Sequence, residues 1–216
     1  MNDYKIVTLN QDEYKPWVLE KHYARRLPSI SYAFGLVHDG KIVGVVTFGY
    51  PPNFQYNNGK CIFNTYECLT LELNRLVVND HSIRNLPSYF VSNALKKLPK
   101  PCAIVSYADP NQNHVGYVYQ ATNWFYTGVS NPKKRYHFED GSTFDIRRGI
   151  DKKGKIVKVE KLKPTHRYIY FNASKSEKKK MIKDMKLKVV EYPKGQSQKY
   201  DCKHIDMFYN FNLFGE

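Results

Sequence analysis

Runs of β-branched and aromatic residues, bounded by turn-forming residues, mark strands at residues 4–9, 31–37 and 41–48. Asp39-Gly40 separates the last two, and an Asp-Gly step supplies the positive φ angles of a tight turn, so they are expected to pair as a hairpin. Residues 69–78 alternate at first and become apolar at their end, as in a central strand. Helical spacing replaces the period of two at 87–98, where Phe90, Val91, Ala94, Leu95 and Leu98 share one stripe between Pro87 and Pro99. An earlier helix is expected over 12–22, with Asn10, Gln11 and Asp12 as capping candidates and Pro16 restricting its first turns. Then come a short buried strand at 102–107, a helix at 115–124 and a strand at 125–129. Strand, helix, strand, helix, strand describes an α/β (α+β) core with a crossover connection, a mixed sheet flanked by helices.

Near residue 149 the composition changes. Residues 150–216 hold 17 Lys/Arg against 8 Asp/Glu, a net of +9 from the chain's total of +14. The expected division is therefore a core over 1–148 and a basic C-terminal extension over 149–216, packed on the core. The extension should contain a turn at 151–155, a strand at 167–171, a Lys-rich helix at 174–185 and a turn at Tyr192-Pro193-Lys194-Gly195. Asn- and Pro-rich residues 49–59 read as an irregular loop.

Polar side chains that interrupt these patterns are the candidates for chemistry. Residues 106–128 carry a strand end, a polar loop and a helix, so that Asp109, His114, Tyr119 and Gln120 are expected to converge where a buried strand ends. His22, Tyr23, Arg25 and Arg26 precede Pro28; they form either a clamp for phosphate or carboxylate or a solvated helix end whose cations favour the C-terminal dipole. Asn74 and Arg75 break an otherwise apolar strand, and Arg75 is either paired with a carboxylate such as Glu72 or directed into a ligand pocket. Tyr50, in its loop, either lines a pocket or folds back on the core. Ser88 starts a helix whose free amides suit an anion. The Lys-rich helix is either a solvated face or, with Arg167, Tyr168 and Tyr170 just before it, a nucleic-acid surface.

Composition limits the partners. A pI near 9.5 and 15% aromatic residues favour a polyanion with stackable faces, nucleic acid first. Cys61, Cys68, Cys102 and Cys202 form no C-x-x-C pair, so neither a zinc cage nor a disulfide framework is indicated, and a metal site built on His22, Asp109 or His114 matches no ligand spacing. No stretch approaches the roughly 20 apolar residues of a membrane span. A cytoplasmic protein with no membrane partner is the expectation.

The order of elements resembles the GNAT acyltransferases, with one departure. Those enzymes have a glycine-rich turn after the central strand that holds the coenzyme A pyrophosphate, whereas residues 79–87 contain no glycine. A closer resemblance rests on His22-Tyr23 with Arg25-Arg26 and Pro28, on Leu73-Asn-Arg-Leu-Val-Val78, on Ser106-Tyr-Ala-Asp109 and on 114–123. Together these resemble the Mom family of bacteriophage DNA-modification proteins. That resemblance implies a GNAT-like core and a transferase that adds a carbamoylmethyl group to the exocyclic amine of adenine in DNA, protecting phage DNA from restriction in the infected bacterial host. It also implies roles. Asp109 would accept a proton from the amine, Tyr119 would protonate the leaving group, and Ser106, Arg75 and His114 would position the donor carbonyl. His22 and Tyr23 complete the centre; Tyr23, Tyr50 and Tyr107 would stack on an extruded base, and Arg25, Arg26 and Arg167 would hold the strand. Asp109 as an ordinary loop cap is the alternative. The donor is expected to be glycyl-tRNA, otherwise acetyl-CoA, with DNA and tRNA as partners and no tightly bound cofactor. Asn111 and Gln112 after Asp109-Pro110, with no glycine-rich methyl-donor motif, exclude methyl transfer. The competing readings are a non-catalytic nucleic-acid binder on the same scaffold and a GNAT enzyme acting on a protein or small amine.

Overall fold

The computed structural model describes residues 3–52, 58–79, 83–146, 154–195 and 204–209. Strand β1 (Lys5–Thr8) leads into α1 (Gln11–Pro16), capped by a reciprocal box in which Asn10 accepts from the Asp12 and Glu13 amides while Glu13 accepts from the Asn10 amide. Pro16 cannot donate to the preceding turn, and the chain continues not as α-helix but as a wider π turn, Trp17–Lys21, closed by His22 N donating to Trp17 O. The expected single helix over 12–22 is thus two helical forms joined at the proline.

Strands β2 (Tyr32–His38) and β3 (Lys41–Gly49) form the expected hairpin, with Asp39 and Gly40 both at positive φ. Beside β3 lies β4 (Leu69–Val78), and from it α2 (Leu86–Lys96) crosses over to β5 (Cys102–Ala108), which pairs with β4 in parallel. The stripe of α2, Leu86, Phe90, Val91, Ala94 and Leu95, is buried against the sheet. Each large side chain there contributes about 1.5–3 kcal/mol. A 3₁₀ turn (Pro110–Gln112), the short helix α3 (Tyr117–Ala121) and β6 (Phe125–Val129) follow.

Three more strands, β7 (Lys133–Phe138), β8 (Thr143–Ile146) and β9 (Ile156–Leu162), make a separate antiparallel sheet in the order β8-β7-β9. Strand β10 (His166–Asn172) then returns to the main sheet and inserts between β5 and β6, giving the order β1-β2-β3-β4-β5-β10-β6. Helix α4 (Lys175–Asp184), capped by Ser174 and Glu177, buries Met181 on the face opposite α2; the two-residue β11 (Met207–Phe208) pairs with β3.

This topology redraws the division at 148/149. That point falls between β8 and β9 of one small sheet, and β10, beyond it, is an interior strand of the main sheet. The core is therefore not closed without the basic segment. The turn at 151–155 and the loop at 49–59 fall partly outside the described residues, and Cys202 wholly so. No helix among the described residues is long and apolar enough to cross a membrane.

Candidate active site

Parallel pairing of β4 with β5 runs from Leu69–Cys102 to Glu72–Val105 and stops there. At the next residue Ser106, 1% exposed, places Oγ 2.8 Å from the Leu73 carbonyl and 2.8 Å from Tyr119 Oη. A serine has one proton and the carbonyl can only accept. All three groups are satisfied when Ser106 donates to Leu73 and Tyr119 donates to Ser106. Burial pushes the Tyr119 phenol far above its usual pKa, with the Ser106 hydrogen bond opposing, so the ring keeps its proton at neutral pH. Trp124 and Tyr168 hold the ring at centroid distances of 5.0 and 5.1 Å. Gly116 makes that packing possible: a Cβ there would lie 2.5 Å from the Tyr168 ring.

The opposite wall is the segment from His22 to Ser29. His22 is 8% exposed, and its Nδ1 accepts from the Ala24 amide at 3.1 Å, which puts the proton of the neutral ring on Nε2. Burial, then the charge of Arg75 and then His114, lower its pKa to about 3. It is therefore a neutral donor at any physiological pH. Tyr23 stacks on His22 at 4.3 Å and approaches His114 at 6.2 Å. Burial and then the Asp109 carboxylate raise Tyr23 to about 12, whereas burial lowers His114 against an opposing pull from Asp109.

Asn74 and Arg75 fasten this wall to the sheet. Asn74 Nδ2 donates to Ser29 O at 2.8 Å while its oxygen accepts from Thr47; Arg75 Nη2 donates to Arg26 O at 3.1 Å and Nη1 to Asn74 O at 2.6 Å. The guanidinium thus goes to main-chain carbonyls rather than into a salt bridge with Glu72, and its buried Nε meets no acceptor among the described residues. Close approach of the segment requires Gly49, where a Cβ would stand 1.8 Å from Ser29 O.

Asp109 ends β5 and caps the 3₁₀ turn, its Oδ1 accepting from Asn111 N at 2.9 Å and Asn111 Nδ2 at 2.7 Å. The loop-cap role exists, yet it occupies one oxygen; the other has no hydrogen bond among the described residues. His22, Tyr23, Arg75, Ser106, Asp109, His114 and Tyr119 therefore form one connected group across the parting of two strands.

Other expected site residues lie elsewhere or hold the frame. Tyr107 and Arg167 sit side by side on β5 and β10 but face away from Ser106; Tyr107 packs into the cluster beneath α4, and Arg167 donates to Thr127 Oγ1 and Thr127 O at 2.9 Å each. Successive strand residues point to opposite faces, so Tyr107 cannot share a pocket with Ser106. Gln120 Nε2 lies within reach of Val115 O, Tyr168 Oη and Pro193 O, tying α3 to the C-terminal strap. Tyr192 completes that tie by donating to Trp124 O at 2.7 Å. Arg25, Arg26 and Tyr50 are exposed. Ser88 lines a different cavity of about 500 Å³ with Asn85, Tyr89, Thr122, Asn123 and Lys178. Tyr168, expected on a nucleic-acid surface, is fully buried. Among the described residues no group of three His, Cys, Asp or Glu is placed to hold a metal ion.

Sequence reasoning missed Thr47, Tyr168 as the support of Tyr119, and the Leu73 carbonyl. Gly116 ahead of an aromatic helix was the one local signal for the second.

His22 also predicts a pH effect. Its folded pKa lies below the 6.5 of the free side chain, so the unfolded chain binds the extra proton between pH 6.5 and about 3. The stability of the neutral buried ring is complete above 6.5 and is lost as pH falls through that window, at up to about 1.4 kcal/mol per pH unit. Thermal melts of His22→Asn are expected to lose less stability between pH 7 and pH 5 than the wild type; equal losses would refute the assignment.

Comparison with known proteins places these features in a family. The model of the Mom protein family matches residues 3–194. The methylcarbamoylase mom of Escherichia phage Mu is 30% identical over 190 residues, covering 81% of this chain and 77% of that protein. Among solved structures, Arabidopsis thaliana NAA60 in complex with a bisubstrate analogue aligns with a TM-score of 0.50 at 12% identity, over 79% of this chain and 98% of that one. A GNAT family acetyltransferase from Elizabethkingia anophelis with acetyl-CoA bound aligns at 0.44 and 13%, over 79% and 99%. The fold is that of the GNAT acetyltransferases, a large mixed sheet flanked by helices.

Proposed function

The chain belongs to the Mom protein family, and from that premise we propose that it is a transferase that installs a carbamoylmethyl group on the exocyclic amine of adenine in DNA, shielding phage DNA from restriction. The observation that carries this reading is the convergence of Asp109 and the protonated Tyr119 on the gap between β4 and β5, with neutral His22 opposite.

The adenine amine is a weak nucleophile because its lone pair is delocalised into the ring, so attack needs an acceptor for its proton. The second oxygen of Asp109 supplies one. Tyr119 gives its proton to the departing oxygen, and the proton that Asp109 takes from the amine balances it when the site resets for the next turnover. His22 Nε2–H and Arg75 offer donors to the oxyanion of the tetrahedral intermediate. Tyr23, stacked on His22, offers an aromatic face to a base drawn out of the duplex.

The donor in this reading is the glycyl ester of tRNA. A glycyl group and a carbamoylmethyl group are isomers. Attack of the adenine amine on the ester carbonyl forms an amide and releases the tRNA hydroxyl; the glycine amine then adds to the ring carbon that bears the amide nitrogen. Cleavage of the old carbon–nitrogen bond leaves the glycine nitrogen on the ring and the former exocyclic nitrogen as the terminal amide. No atom beyond the glycyl unit is needed. The glycine-free segment 79–87 and the charge of +14 support this donor over acetyl-CoA.

Purified protein with adenine-containing duplex and either glycyl-tRNA or acetyl-CoA, followed by mass analysis of the nucleosides, tests it. Glycyl-tRNA alone should yield the heavier deoxyadenosine, and label in the exocyclic amine should appear in the terminal amide. Product from acetyl-CoA alone would refute the donor.

A further inference from the structure

The small sheet β7–β9 carries cations on both faces but turns Glu160 to only one of them, beside Arg135 and Lys158. Directly paired residues point the same way, so the register places Tyr136 in one row with Phe144 and Val159, and Lys134 beside Lys161 in the next. On the other face, Arg135 stands opposite Glu160, which also lies 3.3 Å from His137 Nε2. The first face is open. Phe144 is 45% and Val159 50% exposed, and Lys134 and Lys161 are exposed with no ion-pair partner among the described residues. Residues 130–165 hold eleven Lys/Arg against five Asp/Glu, six of the chain's fourteen net positive charges in 36 of its residues.

Its attachment sets where this face lies. The two strands entering and leaving the small sheet are joined at the root, where Ser130 N donates to Thr165 O at 2.8 Å and the two hydroxyls meet at 2.8 Å. From there Lys163 exchanges two hydrogen bonds with the Asn111 side chain, at 3.0 and 3.1 Å, and Asn111 in turn bonds Asp109. The arm therefore grows from the loop that carries the proposed base.

We propose that the face bearing Lys134, Tyr136, Phe144, Val159 and Lys161 is where the duplex flanking the target adenine docks. This rests on the DNA-modifying reading above and extends it to a surface outside the catalytic group. Cations and aromatic or apolar groups on one face, with the carboxylate turned away, suit a ligand that alternates phosphates with apolar base and sugar surface. DNA is favoured over tRNA because extrusion of a base costs a few kcal/mol, which contacts along the flanking duplex must offset.

Fluorescence anisotropy of a labelled duplex with the full-length protein, over a series of salt concentrations, tests the proposal. Lys134→Ala with Lys161→Ala should weaken binding about tenfold or more and reduce the slope of log affinity against log salt by about 1.8, two phosphate contacts at about 0.9 each. Phe144→Ala should weaken binding with the slope unchanged. Lys158→Ala, on the opposite face, should bind within about twofold of the wild type. All four residues are exposed, and unchanged thermal melts confirm that the three variants fold. A double variant that binds like the wild type overturns this inference alone. Loss of tRNA binding with duplex binding intact also overturns it, and gives the face to RNA. Failure of the wild type to bind duplex at all refutes the DNA reading together with it.

Discussion

Asp109→Asn is expected to leave the protein folded and DNA-bound while lowering adenine modification by about a hundredfold or more, the range general-base removal spans. The substitution separates the proposed base from the cap that Asp109 provides. Asparagine caps a helical turn as well as aspartate, so its amide oxygen can still accept from Asn111 N and Asn111 Nδ2 and the loop keeps its shape. The lost feature is the charge on the second oxygen. That charge holds up both Tyr23 and His114, so both should titrate lower in the variant, a shift that rotor or packing changes would not produce. If Asp109 were only a cap, Asp109→Asn would retain full activity, and Asp109→Ala would show its defect in the melting temperature.

Tyr119→Phe is expected to reduce the single-turnover rate by roughly a hundred- to a thousandfold, with little change in substrate affinity. The phenyl ring still fills the space between Trp124 and Tyr168, and Ser106 still donates to Leu73 O, so no buried group is orphaned and the fold should persist. Only the proton for the leaving oxygen is gone. A donor ester with a more acidic leaving alcohol should therefore narrow the gap between variant and wild type. A defect that stayed constant across leaving groups would assign Tyr119 to packing alone.

Local rules carried a good part of the fold. The Asp39-Gly40 hairpin, the Asn10 cap, the stripe of α2 and the buried β5 are each decided by residues within one turn or one strand of each other, and all lie near where the sequence puts them. Positions decided by distant pairing were not readable in this way. Residues 167–171 read as a strand, but nothing local says that β10 inserts between β5 and β6. The strands β7 and β9 went unpredicted because Lys133–Phe138 and Ile156–Leu162 mix charge and apolar residues on a sheet that is largely exposed, and so lack the contrast that marks a half-buried strand.

The site shows the same split. The clusters at 22–26 and 106–119 stood out as polar groups where apolar strands and helices end, and both are fastened to β4, the first through Asn74 and Arg75 and the second through the Leu73 carbonyl. Those two residues, expected to touch substrate, also turn out to bond main-chain carbonyls, and Gln120 does likewise. A polar residue inside a strand signals that a hydrogen bond is needed; it does not say whether the partner is a ligand or a loop carbonyl. Placement of Tyr107 and Arg167 was open to a stricter use of alternation, since neighbours along β5 face opposite ways.

The most direct test of the account is the nucleoside content of DNA from cells expressing the wild-type protein or Asp109→Asn. Wild-type DNA should contain a deoxyadenosine heavier by one carbamoylmethyl group, and Asp109→Asn DNA should contain almost none. Unmodified deoxyadenosine alone from cells making folded wild-type protein would contradict it.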